Sequence, residues 1–287
     1  MKSSSKNILI TGVSTGIGWG AAHQFIEQGY TVFGSVRKAS DADRLQREWG
    51  ERFVPLLFDV TDAEAVAEAA QSLTGRLAGS GLAGLVNNAG IAIGGPLQHQ
   101  PMAEIRQQFE VNVFGLLQVT QAFLPLLGAR ENHPVPPGRI LNISSVGGKI
   151  AAPFIGAYAG TKFAVEGLSH SLRRELQLYG IDVIVIGPGA VNTPIWDKGV
   201  DASPYVQTAY GPAITRFVKN FIEEGRVGFT PDYLGRQIVR IFETPNPKTR
   251  YALVPKRLER WVLPRLLPDR LLDRILGRLT GLRPAKG

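Results

Sequence analysis

The chain of 287 residues has no cysteine. Disulfides, thiolate metal sites and a cysteine nucleophile are therefore excluded, and a reducing compartment suits the protein. Its four histidines, His23, His99, His133 and His170, fall at no metal-ligand spacing, so no metal is expected. No segment approaches the roughly 20 unbroken apolar residues of a membrane span. No signal peptide is expected ahead of the first strand-like run, Ile8-Leu9-Ile10. Together these absences point to a cytoplasmic protein. Net positive charge is concentrated in one place. Of a net charge of +8, nine Lys/Arg against three Asp/Glu fall within 255–287, and the rest is nearly neutral. Aromatic and basic residues are not interleaved as a base-stacking surface requires, so no nucleic-acid partner is expected.

What the chain does have is alternation. Strand patterns at 6–11, Thr31–Val36, 53–58, 83–87, 139–144 and 182–186 take turns with helical patterns at 16–28, 42–49, 62–77, Met102–Leu127 and 157–179. Val183-Ile184-Val185-Ile186 is wholly apolar, as a strand buried on both faces should be. The expected fold is α/β, a three-layer doubly wound parallel sheet of Rossmann type. Connections are short, so 1–254 reads as one domain, with a helical lid at 190–228. A basic amphipathic extension, 255–287, follows it.

Thr11-Gly12-Val13-Ser14-Thr15-Gly16-Ile17-Gly18 follows the first strand and opens the first helix. Glycines there let backbone amides approach a pyrophosphate, and the helix N-terminus favours its charge. No Lys-Ser/Thr ending follows, which excludes a P-loop. The second strand ends at Ser35-Val36-Arg37, with no carboxylate before Asp41. An acid near this point would favour a ribose 2′-hydroxyl; the Arg37 fork favours a 2′-phosphate. The expected cofactor is NADP(H) rather than NAD(H).

Tyr158 and Lys162 lie four residues apart, hence one turn apart on one helix face, with Ser145 upstream. A phenol titrates near ~10, and a neighbouring ammonium lowers that value. A tuned tyrosine serves as general acid or base between a carbonyl and its alcohol. Ser145 is placed to hydrogen-bond the same substrate oxygen.

These residues together resemble the short-chain dehydrogenase/reductase family over about 7–194. The resemblance rests on Thr11-Gly12-x-x-x-Gly16-Ile17-Gly18, Asp59-Val60, Asn87-Asn88-Ala89-Gly90, Asn112, Asn142-x-Ser144-Ser145, Tyr158-x-x-x-Lys162 and Pro188-Gly189 with Thr193. It implies a catalytic set of Asn112, Ser145, Tyr158 and Lys162. Asn112 would hold a water in a proton relay and Lys162 would bind the nicotinamide ribose. Ser145 is preferred to Ser144 for its spacing to Tyr158. The cofactor would lie along Gly12, Ser14, Thr15, Gly16, Ile17, Gly18 and Arg37. Asp59 and Val60 would meet the adenine, and Asn87, Ala89 and Gly90 would border the middle. Pro188, Gly189, Val191 and Thr193 would line the nicotinamide.

Trp196 and Tyr205 in the lid are candidate substrate contacts. Gly34-Ser35-Val36-Arg37 and the tail resemble retinol- and 17β-hydroxysteroid-dehydrogenase-like members, which implies a hydrophobic alcohol or carbonyl substrate. A homodimer or homotetramer through the two long helices is expected by the same resemblance. In the tail, Leu271, Leu272, Ile275, Leu276 and Leu279 form an apolar stripe beside Arg270, Arg274 and Arg278. Such a segment suits either peripheral membrane contact or packing on protein. The different class kept open is a non-catalytic NADP(H) sensor or membrane-associated scaffold of the same fold.

Overall fold

The computed structural model describes residues 6–193 and 201–282. Seven strands, β1 (Asn7–Ile10), β2 (Thr31–Val36), β3 (Phe53–Leu57), β4 (Gly84–Asn87), β5 (Arg139–Ile143), β6 (Asp182–Pro188) and β7 (Arg250–Leu253), form one sheet. Their order is β3-β2-β1-β4-β5-β6-β7 and every pairing is parallel. Parallel neighbours need crossovers, and helices supply them. These are α1 (Gly16–Glu27), α2 (Ala39–Trp49), α3 (Ala63–Leu77), α4 (Met102–Phe109), α5 (Gly115–Leu127), α6 (Gly156–Glu175), α7 (Gly211–Arg226), α8 (Pro231–Glu243) and, in the extension, α9 (Asp269–Thr280).

Both faces of the sheet are buried, and the period of two is visible within single strands. Ile8 and Ile10 join one core with Phe25 and Phe242, while Leu9 between them joins the other with Val119 and Phe123. A third cluster beyond the sheet packs Phe154, Tyr158, Tyr205, Ile214 and Phe217. Local chemistry sets the helix starts. Asp62 caps α3 by accepting from Ala65 N at 3.0 Å, and Thr230 caps α8 with Pro231 at its first position.

Three elements depart from the sequence expectation, of which α8 has no counterpart among the helical patterns read from the sequence. β7 was not anticipated; its four residues are half-buried edge positions of mixed polarity, without the apolar run that marks the central strands. The expected long helix Met102–Leu127 is interrupted by a π turn at Glu110–Phe114. That run is long and apolar enough by composition to cross a membrane, yet half of its apolar window is buried in the domain.

Candidate active site

The C-terminal ends of β1, β4, β5 and β6 open onto one rim, where ligands bind in open α/β sheets. At its start Gly12 and Gly16 adopt φ of 70° and 63°. That left-handed conformation is what glycine tolerates. A Cβ on Gly18 would collide with the Gly12 carbonyl oxygen and the Asn88 amide. Thr15 at the N-cap of α1 makes no side-chain cap bond, and no acid lies in the first turn. The helix end is thus left for an anion from outside, and this cradle fits a dinucleotide pyrophosphate. Ile17 packs on the core below it, Ser14 O is braced by Arg44 Nη2 at 2.7 Å, and Thr193 lies beside Gly16.

Arg37 stands exposed beyond β2, with Nη1 3.7 Å from Asp59 Oδ2. The other Asp59 oxygen accepts from Thr61 N and Oγ1 at 3.0 and 2.8 Å. Val60 turns its side chain inward against Gly115, so only its backbone is left for the adenine contact expected of it. The middle of the rim is held by amides. Asn87 Nδ2 donates to Thr120 Oγ1 and to Asn142 Oδ1, and Asn142 Nδ2 donates to Ser169 Oγ. Thr11 Oγ1 accepts from Asn88 N and Ala89 N at 2.9 and 3.0 Å, tying β1 to β4. Pro188 ends β6, Gly189 N donates to Leu253 O, and Val191 is bridged to Phe229.

The four residues expected to carry chemistry converge here. Ser145 follows β5, and Tyr158 and Lys162 share the inner face of α6. The Ser145 hydroxyl accepts from Gly147 N at 3.0 Å and lies beside the Tyr158 ring, since a Cβ on Gly147 would sit 3.3 Å from Ser145 Oγ and 3.5 Å from Tyr158 Cε1. Ser144 turns away, donating to Glu166 Oε1 at 2.9 Å. Asn112 is fixed in the π turn, accepting from Ile91 N and donating to Ile91 O and Thr161 Oγ1. Gly90 leaves room for it: a Cβ there would lie 3.1 Å from Asn112 Oδ1 and 3.7 Å from Lys162 Nζ.

The electrostatics correct one expectation. Tyr158 is not lowered by Lys162; burial pushes it above 10.0, against a downward pull from the Ser145 hydroxyl. Lys162 Nζ lies 5.7 Å from the Tyr158 ring centroid and donates to Ile143 O at 2.9 Å. Burial lowers Lys162 itself to about 8. Removal from water disfavours both charged forms.

Tyr205 is buried in the third cluster near Tyr158, its oxygen against Gly95; Trp196 lies outside the described residues. An open cavity of about 470 Å³ lies beside this cluster, lined by Leu97, Phe154 and Tyr210 and by Asp273 and Leu276 of α9. Phe154 holds φ at 66°, rare for a bulky residue. No cluster able to hold a metal occurs among the described residues. Sequence reasoning missed Glu166 and Arg250. The one signal for Glu166 was the repeat of four from Tyr158 through Lys162, and Arg250 had none.

The family described as short chain dehydrogenase matches residues 6–203. An NADPH-dependent 3-dehydrocapnine reductase of Ornithobacterium rhinotracheale is 40% identical over 265 residues, 92% of this chain and 93% of its own. Estradiol 17-beta-dehydrogenase 2 of Mus musculus is 34% identical over 86% of this chain and 67% of its own. Among solved structures, a short-chain dehydrogenase from Streptomyces avermitilis superimposes with a TM-score of 0.76 at 28% identity, covering 97% and 96% of the two chains. The glycine cradle, the parallel sheet and these relatives agree, and the chain belongs to the short-chain dehydrogenase/reductase family of oxidoreductases.

Proposed function

We propose that the protein is an NADP(H)-dependent oxidoreductase that interconverts a hydrophobic ketone or aldehyde and its alcohol. One observation carries this reading: buried Tyr158, Lys162 and Asn112 converge with half-buried Ser145 on the rim that begins with the glycine cradle. NADPH, when bound, supplies the hydride. Tyr158, held protonated by burial, donates its proton to the substrate oxygen, and Ser145 hydrogen-bonds the same atom. Lys162 Nζ and Asn112 line the route by which that proton is replaced. The cradle holds the pyrophosphate, and Arg37 meets the 2′-phosphate, exchanging its long contact with Asp59 for a closer charge. The 40% identical relative is named for NADPH dependence, in agreement with Arg37.

An apolar substrate is supported by the apolar cluster that packs beside Tyr158, with Phe154, Tyr205 and Phe217, and by one relative named for estradiol. Self-association would use the outer faces of α5 and α6, beside exposed Phe114 and Phe163. In the cytoplasm the extension would make peripheral membrane contact. The unit of function is then the domain 1–254, lid included, with 255–287 attached to it. The full set of four residues speaks against a sensor or scaffold.

The test is steady-state reduction of a panel of ketones, quinones, retinoids and steroids. Tyr158→Phe is expected to lower kcat by at least about a hundredfold while NADPH binding stays intact. Arg37→Asp is expected to shift the ratio of kcat/KM from NADPH toward NADH. Near-normal kcat in Tyr158→Phe refutes the proton-transfer role.

A further inference from the structure

The chain leaving β5 runs through Ile143, Ser144 and Ser145, and each is tied to a charged side chain. Ile143 O accepts from Lys162 Nζ at 2.9 Å. Ser144 Oγ donates to Glu166 Oε1 at 2.9 Å, and Ser145 O accepts from Arg250 Nη2 at 3.3 Å. Glu166 and Arg250 are themselves paired, with Arg250 Nε 2.9 and 3.0 Å from the two carboxylate oxygens. Lys149 Nζ adds a second cation 3.4 Å from Glu166 Oε2. The acid is 2% exposed and the Arg250 side chain 14%. Two glycines clear the space: a Cβ on Gly148 would lie 2.6 Å from Ser144 Oγ, and one on Gly187 2.5 Å from Arg250 Nη2.

The outer side of this pair is closed by the extension. Trp261, in the π turn Leu258–Val262, is 5% exposed, and Arg250 Cζ lies 4.2 Å from its ring centroid. Arg265 Cζ approaches the same ring at 4.5 Å. An ion pair buried this deeply stabilises a fold no better than an apolar pair of the same volume. What it does supply is direction. With its Nε–H shared between the two Glu166 oxygens and its planar guanidinium over the Trp261 ring, Arg250 has few orientations left for the Nη2 that reaches Ser145 O.

We propose that Glu166 and Arg250 are positioning residues that hold the Ser145 backbone in register with Tyr158, and that Trp261 makes this hold depend on the seated C-terminal extension. The proposal rests on the reading of Ser145 and Tyr158 given above. Without Trp261, one face of Arg250 opens to water, which competes for the N–H aimed at Ser145 O. Ser145 Oγ then drifts from the Tyr158 oxygen, and a displacement near ~1 Å at such a site costs up to about a hundredfold in rate.

A double-mutant cycle in the full chain tests this. Trp261→Ala is expected to lower kcat about ten- to a hundredfold with the KM for NADPH unchanged. In a Ser145→Ala background the same change is expected to cost no more, because the group it positions is gone. Trp261→Phe, which keeps an aromatic face, is expected to restore most of the rate. Arg250→Lys, which keeps the charge and loses the fork, repeats the cycle if Trp261→Ala does not fold. Equal fractional losses in both backgrounds, or a loss confined to the KM for NADPH, overturn the proposal. Tyr158→Phe separates the two failures. If it abolishes turnover while the cycle is additive, only the positioning role falls; if it retains turnover, the reaction itself was misread.

Discussion

Lys162 is a charged residue placed where charge is costly. Burial lowers it to about 8 from 10.5. Between those values the unfolded chain binds more protons than the folded one, so this group makes stability rise with pH across the window. Below about pH 8 the fold carries the full cost of burying an ammonium, partly offset by the bond to Ile143 O. Lys162→Met is therefore expected to gain stability relative to the native chain near neutral pH, and to lose that advantage as pH passes through the window. Urea denaturation of both proteins at several pH values reads the difference; one that does not vary with pH refutes the buried amine. Tyr158, Lys162 and Ser145 stood out in the sequence by a spacing that is weak alone and takes its meaning from the glycine loop and the family resemblance. Glu166 has the same spacing on the same helix and was not read, because an acid on a helix is ordinarily solvated. What desolvates it is Arg250, 84 residues further along the chain.

Among elements, those that alternate cleanly were foreseen to within a few residues, because strands buried on both faces declare themselves by continuous apolar runs. β7 did not, and neither did the π turn that carries Asn112. A single extra residue in a helical turn leaves the periodicity of the whole run almost unchanged. The close crossing of α1 and α8 was equally hidden, since it depends on two distant glycines. A Cβ on Gly235 would collide with the Gly20 carbonyl oxygen, and one on Gly20 with Pro231 O. Gly235→Ala is expected to destabilise by about 1–3 kcal/mol or more, because backbone rather than a movable side chain blocks it. Gly167 offers the contrast: it lies on α6 with nothing within 4 Å of a new Cβ. There, Gly→Ala is expected to stabilise by about 0.5–1 kcal/mol. Thermal melts of the two variants should move in opposite directions. A Gly235→Ala melt at or above the native temperature would remove the close crossing.

At the scale of the whole molecule the extension has two sides. Leu272 and Leu276 of α9 are half-buried, Leu276 lining the cavity, while Leu271, Ile275 and Leu279 are exposed. The stripe expected from sequence is thus split along its length, and the exposed half borders Arg270, Arg274 and Arg278. Leu258, Leu263 and Leu266, which precede α9, are exposed as well. An exposed apolar row flanked by cations complements an anionic lipid surface, to which each arginine near the headgroups contributes about 1 kcal/mol. Truncating the extension would also strip Trp261 from Arg250, so point variants make the cleaner test. The full chain is expected to co-sediment with vesicles containing phosphatidylserine and not with phosphatidylcholine alone. Replacing Leu271, Ile275 and Leu279 together by Gln is expected to release it. So is about 1 M salt, where the screening length falls to ~3 Å. Equal sedimentation of the native chain and the triple variant, or none by either, would leave the outward row without a membrane role.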